Sequence, residues 1–199
     1  MQSTRPLASL CQRGQYRALH SATSSIAPPT RPLRFPNSPD VSWLQQASSV
    51  WVQEVEWGSQ DTFQHVNNVV YHRWFENGRF DWFTQLRGSV RALFGAEADR
   101  IAGRFLSTRA VGPILKSAEI KFRFPVSHPD RIHVATRLKP DSLLADRFTL
   151  EHMVVSQRHQ RVAAEGTGTI VAFDYAVTKS KTALPAQIAE AIRALEARV

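Results

Sequence analysis

The sequence has almost no cysteine: Cys11 is the only one in 199 residues. It stands close to the N-terminus, so the rest of the chain has neither a disulfide nor a thiol nucleophile, as expected in a reducing compartment. Long apolar runs are also missing, and none reaches the length of a membrane span, so no membrane span and a soluble protein are expected. The seven histidines are scattered, with no His-Glu-x-x-His run and no Cys/His cluster, which argues against a metal site. A Gly-x-Ser-x-Gly elbow is lacking too, and with it the usual setting for a serine nucleophile. No internal repeat is visible, and no cofactor is expected.

Acidic residues are absent from residues 1–39, which carry Arg5, Arg13, Arg17, Arg31 and Arg34. These five arginines supply +5 of the formal charge of +8, leaving +3 on the remainder. Bulk charge therefore gives no reason to expect a nucleic-acid partner. An acid-free leader rich in Ser and Thr, with arginines spaced among Leu and Ala, has the features of a mitochondrial transit peptide. Import to the matrix is the expectation, with a disordered basic tail on a cytoplasmic protein as the alternative. Residues 26–40 contain five prolines and read as a linker. The organisation expected is thus a leader and linker over 1–40 and one folded domain over 41–199.

Within that domain, Ser49 to Trp57 alternates as a strand. A loop follows from Gly58 to Val66. A helix should run from about Asn68 to Leu86, with Val70, Tyr71, Trp74, Phe75, Gly78, Trp82 and Leu86 on one broad apolar face. That face is too apolar for a surface and calls for a sheet wrapped around it. Gly78, costly inside a helix, fits a close approach by that sheet. Gly88 reads as the helix end, and residues 89–107 as a short second helix and a loop. Four β-rich runs come next: Gly112–Val126, Arg131–Leu138, Ala145–Gln157 and Arg161–Tyr175. The last two are joined by the polar connection Arg158-His159-Gln160. Gly166 and Gly168, two apart on one strand face, mark where something large presses close. Pro185 to Val199 reads as a short C-terminal helix with Ile188, Ile192 and Leu195 as its apolar stripe.

The most informative segment is Asp61-Thr-Phe-Gln-His65-Val-Asn67-Asn68-Val-Val-Tyr71, continued by Trp74, Glu76 and Arg79. It puts a carboxylate and an imidazole four residues apart, just before a helix start that asparagine can cap. Free N–H groups there carry the positive end of the helix dipole and can hold a developing negative charge. A base beside such a helix start suits attack on an acyl carbonyl. Asp61 is the candidate base or nucleophile, and its structural alternative is an Asx-turn. His65 could orient water or share a proton with Asp61, or equally fix the loop. The backbone N–H groups of Asn67, Asn68 and Val69 could polarise the carbonyl. Tyr71 and Trp74 suit core and acyl pocket. Lys121, Arg147, Arg158 and Arg161, near strand ends, are candidates for phosphate contacts.

This segment resembles the hotdog-fold thioesterases of the 4-hydroxybenzoyl-CoA thioesterase-like group, through Asp61, His65, Val66, Asn67, Asn68, Tyr71, Glu76 and Arg79. The resemblance implies an α+β chain with a single hotdog domain, an antiparallel five-stranded sheet wrapped around a long central helix. It implies hydrolysis of an acyl-CoA or acyl carrier protein thioester, with Asp61 as the catalytic carboxylate. A homodimer or homotetramer would place the acyl site at a subunit boundary. Glu76 could be a second acid–base group, as a helix carboxylate is in some relatives; a salt bridge to Arg73, Arg79 or Arg123 is its other reading. Plant acyl-ACP thioesterases carry a similar run with an amide where this chain has Phe63, which argues against the full plant-type arrangement. The same departure motivates a second reading, a catalytically silent module serving as a structural or acyl-binding subunit of a mitochondrial assembly. A hydratase or dehydratase ranks third.

Overall fold

The computed structural model describes residues 44–198. The leader and linker assigned to residues 1–40 lie outside the described residues. The order along the chain is β1 (Ser49–Glu54), α1 (Asn68–Phe94), α2 (Ala98–Phe105), β2 (Val111–Phe122), β3 (Arg131–Leu138), β4 (Arg147–Ser156), β5 (Arg161–Asp174) and α3 (Ala186–Glu196). The strands form one five-stranded sheet in the order β1-β3-β4-β5-β2, with every pairing antiparallel. The sheet is wrapped around α1, which is the hotdog arrangement.

The face of α1 that its sequence marks as apolar is the one it buries. Tyr71, Trp74, Phe75, Gly78, Trp82 and Leu86 are all buried, and the stripe continues through Ser89 and Val90. The N-terminal half packs on Ile132, Val134 and Val154 of the central strands, and the C-terminal half on Phe148, Leu150 and Ile170. Each such side chain contributes about 1.5–3 kcal/mol by leaving water. Trp82 is fully buried, and its indole N–H donates to Glu196 Oε1 (2.9 Å) and Ser48 Oγ (3.1 Å), tying α1 to α3.

Gly78 sits where the sheet closes most tightly. A Cβ there would stand 2.8 Å from Val134 Cγ1 and 2.9 Å from Thr136 Oγ1. At Gly166 an added Cβ would collide with the Phe75 ring and the Glu119 carbonyl oxygen. Gly168 is looser, with Leu115 Cδ1 at 3.4 Å from the equivalent position. The helix therefore presses on the sheet at the first two glycines, and ordinary contacts surround the third.

Several boundaries differ from the sequence expectations. Gly88 does not end the helix: α1 continues to Phe94 and is capped by Gly95 at φ 49°, whose N–H donates to the Arg91 carbonyl. Tertiary contacts carry it through, since Ser89 Oγ donates to the Ala191 carbonyl at 2.9 Å and Val90 is buried beside α3. The first strand stops at Glu54 rather than Trp57, because its partner ladder begins at Arg131 and the Val55 N–H turns to the Asp130 carbonyl (2.8 Å). β2 ends at Phe122 rather than Val126, where the N–H groups of Arg123 and Phe124 both donate to the Ala163 carbonyl.

Candidate active site

The loop between β1 and α1 is held almost entirely through its backbone. Asp61 N–H donates to the His65 carbonyl (2.9 Å) and Gln64 N–H to the Asp61 carbonyl (3.0 Å), closing a tight turn with Gln64 at φ 62°. Val66 N–H reaches the Val126 carbonyl (2.8 Å) and Asn67 N–H the Ser59 carbonyl (2.9 Å). Gln60 Oε1 accepts from the His128 N–H at 2.9 Å, fixing the same loop to the β2–β3 connection. Val66 is buried as the plug under this turn. The loop is rigid in outline while its side chains from Thr62 to His65 are exposed.

Asp61 stands half-buried at the base of the turn. Its Oδ1 accepts the Phe63 N–H at 2.9 Å, so the Asx-turn is present. Its Oδ2 accepts no hydrogen bond among the described residues. His65 is exposed and its ring makes no hydrogen bond among the described residues; a backbone contact links it to Asp61. The pair is not assembled as a proton-sharing dyad within one chain. Phe63 points outward, 80% exposed.

At the helix start, Asn67 is the N-cap, and its side-chain oxygen accepts the Val69 N–H at 2.9 Å. Val70 N–H bonds to the Asn67 carbonyl (2.9 Å). Of the Asn67, Asn68 and Val69 N–H groups, the first and third are therefore engaged, and that of Asn68 has no acceptor among the described residues. It projects from the positive end of a 27-residue helix. Here the sequence expectation is narrowed from three donors to one.

Glu76 is exposed on α1 and makes no ion pair among the described residues. The salt bridge expected for it is not formed: Arg123 is engaged by Glu165 at 2.9 Å, and Arg79 only feels the Glu76 charge. Tyr71 and Trp74 are sealed in the core at 2% and 4% exposure, in ring contact with each other, and so they support the site from beneath. Burial pushes the Tyr71 phenol up to about 12, and the Asp130 charge adds to the shift while the Val126 backbone opposes it.

The four basic candidates do not form one cluster. Arg158 and Arg161 lie at the β4–β5 hairpin, on the motif's end of the sheet, where Arg161 sits 4.5 Å above the Phe124 ring and Arg158 donates to the Pro129 carbonyl. Lys121 lies toward the same end, paired with Glu119 at 3.3 Å. Arg147 begins β4 at the opposite end, paired with Asp146 at 3.0 Å. Among the described residues, no group of three or more His, Cys, Asp and Glu side chains is arranged to hold a metal ion.

Two residues that the sequence reading did not weigh as site residues stand out. Asp130 is buried and its carboxylate accepts from the backbone N–H groups of Arg131 (2.7 Å) and Arg158 (2.9 Å) and from the Ser156 hydroxyl, anchoring the motif end of the sheet. His152 lies on the inner face of β4 between Leu150 and Val154, stacked on Phe75 at 5.1 Å. Burial, and then the Arg79 charge, hold its imidazole down to about 3, so it is neutral. The signal was there: one polar residue in the period-2 run Phe148, Leu150, His152, Val154.

The turn and the helix start thus bring a carboxylate oxygen and a backbone N–H, both without a partner among the described residues, into one segment of the chain. The sequence profile of the thioesterase-like superfamily matches residues 55–192. The chain belongs to that superfamily. No curated protein matches it significantly in sequence. Among solved structures it resembles a thioesterase of Thermus thermophilus complexed with coenzyme A and Zn, at 22% identity and TM-score 0.58 over 78% of this chain and 98% of that one. It also resembles the PA2801 protein of Pseudomonas aeruginosa (26% identity, TM-score 0.55, 74% of this chain and 97% of that one). A DHNA-CoA thioesterase of Staphylococcus aureus is similar at 15% identity and TM-score 0.57, over 75% of this chain and 91% of that one.

Proposed function

We propose that the chain hydrolyses an acyl-CoA, or an acyl carrier protein thioester, to the free acid and the thiol. The observation that carries this reading is the state of Asp61: Oδ1 is committed to the turn and Oδ2 has no partner among the described residues, in the loop that leads to the Asn68 N–H at the start of α1. In this reading Oδ2 either takes a proton from an attacking water or attacks the thioester carbonyl itself, giving a transient anhydride that water opens. The carbonyl oxygen, which gains negative charge in either case, is met by the Asn68 N–H and the helix dipole. His65 and Glu76 are both exposed and without side-chain partners among the described residues, so in this reading they join from solvent or from a second chain.

A second chain is part of the proposal. Trp57 (73%), Phe63 (80%), Val69 (62%) and Phe122 (47%) are exposed around the motif, and β2 is a long edge strand with exposed apolar residues. Pairing of two copies would cover these surfaces and enclose the site, which supports a homodimer or a pair of dimers. Matrix import through residues 1–39 rests on their acid-free, arginine-bearing composition. A reporter fused to these residues should enter mitochondria and lose import when Arg5, Arg13 and Arg17 become Glu; a cytosolic reporter with the native leader counts against it.

Exposed Phe63 and partnerless His65 favour the second reading, a silent acyl-binding or structural subunit. One experiment separates the two: the chain without its leader, incubated with acyl-CoA and acyl carrier protein thioesters, with thiol release followed directly. Release that disappears in Asp61→Asn supports hydrolysis. No release from any member of the panel gives the lead to the silent module.

A further inference from the structure

At the end of the sheet away from the motif, α2, the start of β2, the loop after β5 and the start of α3 enclose a groove of about 360 Å³. Its floor is apolar and buried, formed by Ile101 and Phe105 of α2 and Ile188 of α3. Arg104, Arg109 and Val177 also line it and are exposed, so they form its rim. The motif is far off. Val66 bonds to Val126, just beyond the Phe122 end of β2, whereas the groove meets β2 at Val111. The 12 residues of β2, at about 3.3 Å each, put roughly 40 Å between the two ends.

Val177 is 81% exposed, and its loop holds it there. The Asp174 carboxylate accepts the N–H groups of Ala176 (2.9 Å), Val177 (3.0 Å) and Thr178 (3.0 Å), and also the Thr178 hydroxyl (3.1 Å). Among the described residues that line the groove Asp174 is the one acid, and its oxygens are taken up by this loop. The guanidinium groups of Arg104 and Arg109 have no hydrogen bond or ion pair among the described residues. Nearby acids are already engaged: Asp99 meets Arg87 (3.3 Å) and Arg91 (3.5 Å), and Glu97 meets Arg100. Lys179, two residues beyond Val177, donates to the Tyr175 carbonyl and has no ion pair among the described residues. An apolar tip fixed in solvent thus stands beside three cations without a counter-charge.

We propose that this end of the fold docks on an anionic phospholipid surface, with Val177 dipping between the head groups and Arg104, Arg109 and Lys179 on the lipid phosphates. The charge calls for an anionic partner, and guanidinium suits phosphate oxygens. The form of the apolar part selects the partner's class. Val177 projects instead of forming a recess, so it is covered best by a medium that yields around it, as a head-group layer does. An acidic protein segment would have to bring its own cavity for this side chain. Behind the tip, the groove has room for one head group between the two arginines. None of the four residues lies in a strand, so pairing of two copies along β2 leaves them outside the ladder. Docking here is independent of the proposed hydrolysis, whose loop lies at the other end of the sheet.

The test is co-sedimentation with vesicles of phosphatidylcholine alone and of phosphatidylcholine mixed with phosphatidylglycerol. The chain is used without residues 1–39, whose arginines would bind anionic lipid on their own. Binding should require phosphatidylglycerol and weaken as salt is raised. Arg104→Gln combined with Arg109→Gln should weaken it by about tenfold or more. An equal loss of charge elsewhere, Arg73→Gln with Arg193→Gln, should change it by less than about twofold. Val177→Asp should weaken binding and Val177→Trp should strengthen it, because indole favours the membrane interface. All five positions are exposed, so the melting curves should stay native. Equal binding to the two kinds of vesicle, equal losses in the two double variants, or wild-type binding by Val177→Asp overturns the proposal. So does a failure to bind any vesicle; if poly-glutamate is then bound and lost in the Arg104/Arg109 variant, the surface belongs to an acidic protein segment.

Discussion

The loop that precedes α1 and the glycine seam beneath it place opposite demands on the same chain. Between Gln60 and Asn67 the backbone is pinned by hydrogen bonds while the side chains from Thr62 to His65 stay exposed, so side-chain chemistry at those positions can vary without loss of shape. Along Gly78 and Gly166 the reverse holds: shape comes from the side chains that press in, Val134, Thr136 and Phe75, and there is no room for one more carbon. Substitutions in the loop should therefore register in activity and those in the seam in stability. Both regions are carried by α1, whose start bears the Asn67 cap and whose middle bears Gly78.

The largest effect expected lies in the seam. Gly166→Val would drive a branched side chain into the Phe75 ring and the Glu119 backbone, and backbone cannot yield as a side-chain tip can. It should cost more than about 4 kcal/mol and leave little folded protein, as judged by soluble yield and loss of a cooperative melt. Gly58→Ala in the loop is the contrast. Nothing lies within 4 Å of its added methyl, so the melting temperature should hold steady. Similar losses in both variants would mean that the loop is packed, not merely pinned.

Next in size is the loop's own effect. Asp61→Asn keeps the side-chain oxygen that accepts the Phe63 N–H and removes the basic one. Turnover of an acyl-CoA should fall by at least about two orders of magnitude, with the melting temperature nearly unchanged. A variant that loses stability along with activity would show that the carboxylate serves the turn, and one that keeps wild-type turnover would remove Asp61 from the mechanism.

A pH measurement sharpens the comparison further, because the seam holds a buried titratable group. The folded chain holds His152 down to about 3 against an ordinary value of 6.5. Below pH 6.5 the unfolded chain therefore takes up a proton that the folded chain refuses, and stability falls as pH drops from 6.5 toward 3. The slope from one such group is at most about 1.4 kcal/mol per pH unit. His133 is also lowered by burial and acts in the same direction, so the reading is the difference between wild type and His152→Leu. Denaturant titrations at pH 7 and pH 5 should converge for that variant relative to wild type. Parallel losses in both would take His152 out of the account.

How much of this was legible in the sequence depends on the range of the interaction that decides it. Period-2 and period-3.6 patterns are local, so the succession of one strand, a long helix and four strands along the chain, and the inner face of α1 from Tyr71 to Leu86, could be read directly. The helix end could not. Gly88 carries the usual stop signal, but the decision is made by Ser89 and Val90 meeting α3, residues about a hundred positions downstream. The site divides in the same way. Asp61 and the Asn67 cap lie within a local motif and were read from it. That Val69 is already engaged, that Glu76 has no ion pair and that Arg147 stands at the far end of the sheet follow from three-dimensional placement alone. His152 was visible as a polar break in an apolar run, but that its Nε2 lacks a partner among the described residues follows from three-dimensional packing alone.

The smallest expected effect lies at the two glycines near the end of α1, and they should respond with opposite signs. Gly88 is inside the helix, exposed, at an ordinary φ and with nothing within 4 Å of an added Cβ. Alanine there gains helix propensity and loses nothing in contact, so Gly88→Ala should stabilise by up to about 1 kcal/mol. Gly95 is equally uncrowded, but it sits at φ 49°, where a Cβ is strained by the backbone whatever space surrounds it. Gly95→Ala should therefore destabilise by about 1 kcal/mol. Equilibrium unfolding in urea resolves differences of this size when the slopes stay equal. If Gly88→Ala destabilises and Gly95→Ala does not, the helix ends at the earlier glycine in solution. The Ser89 contact to α3 would then have to be given up.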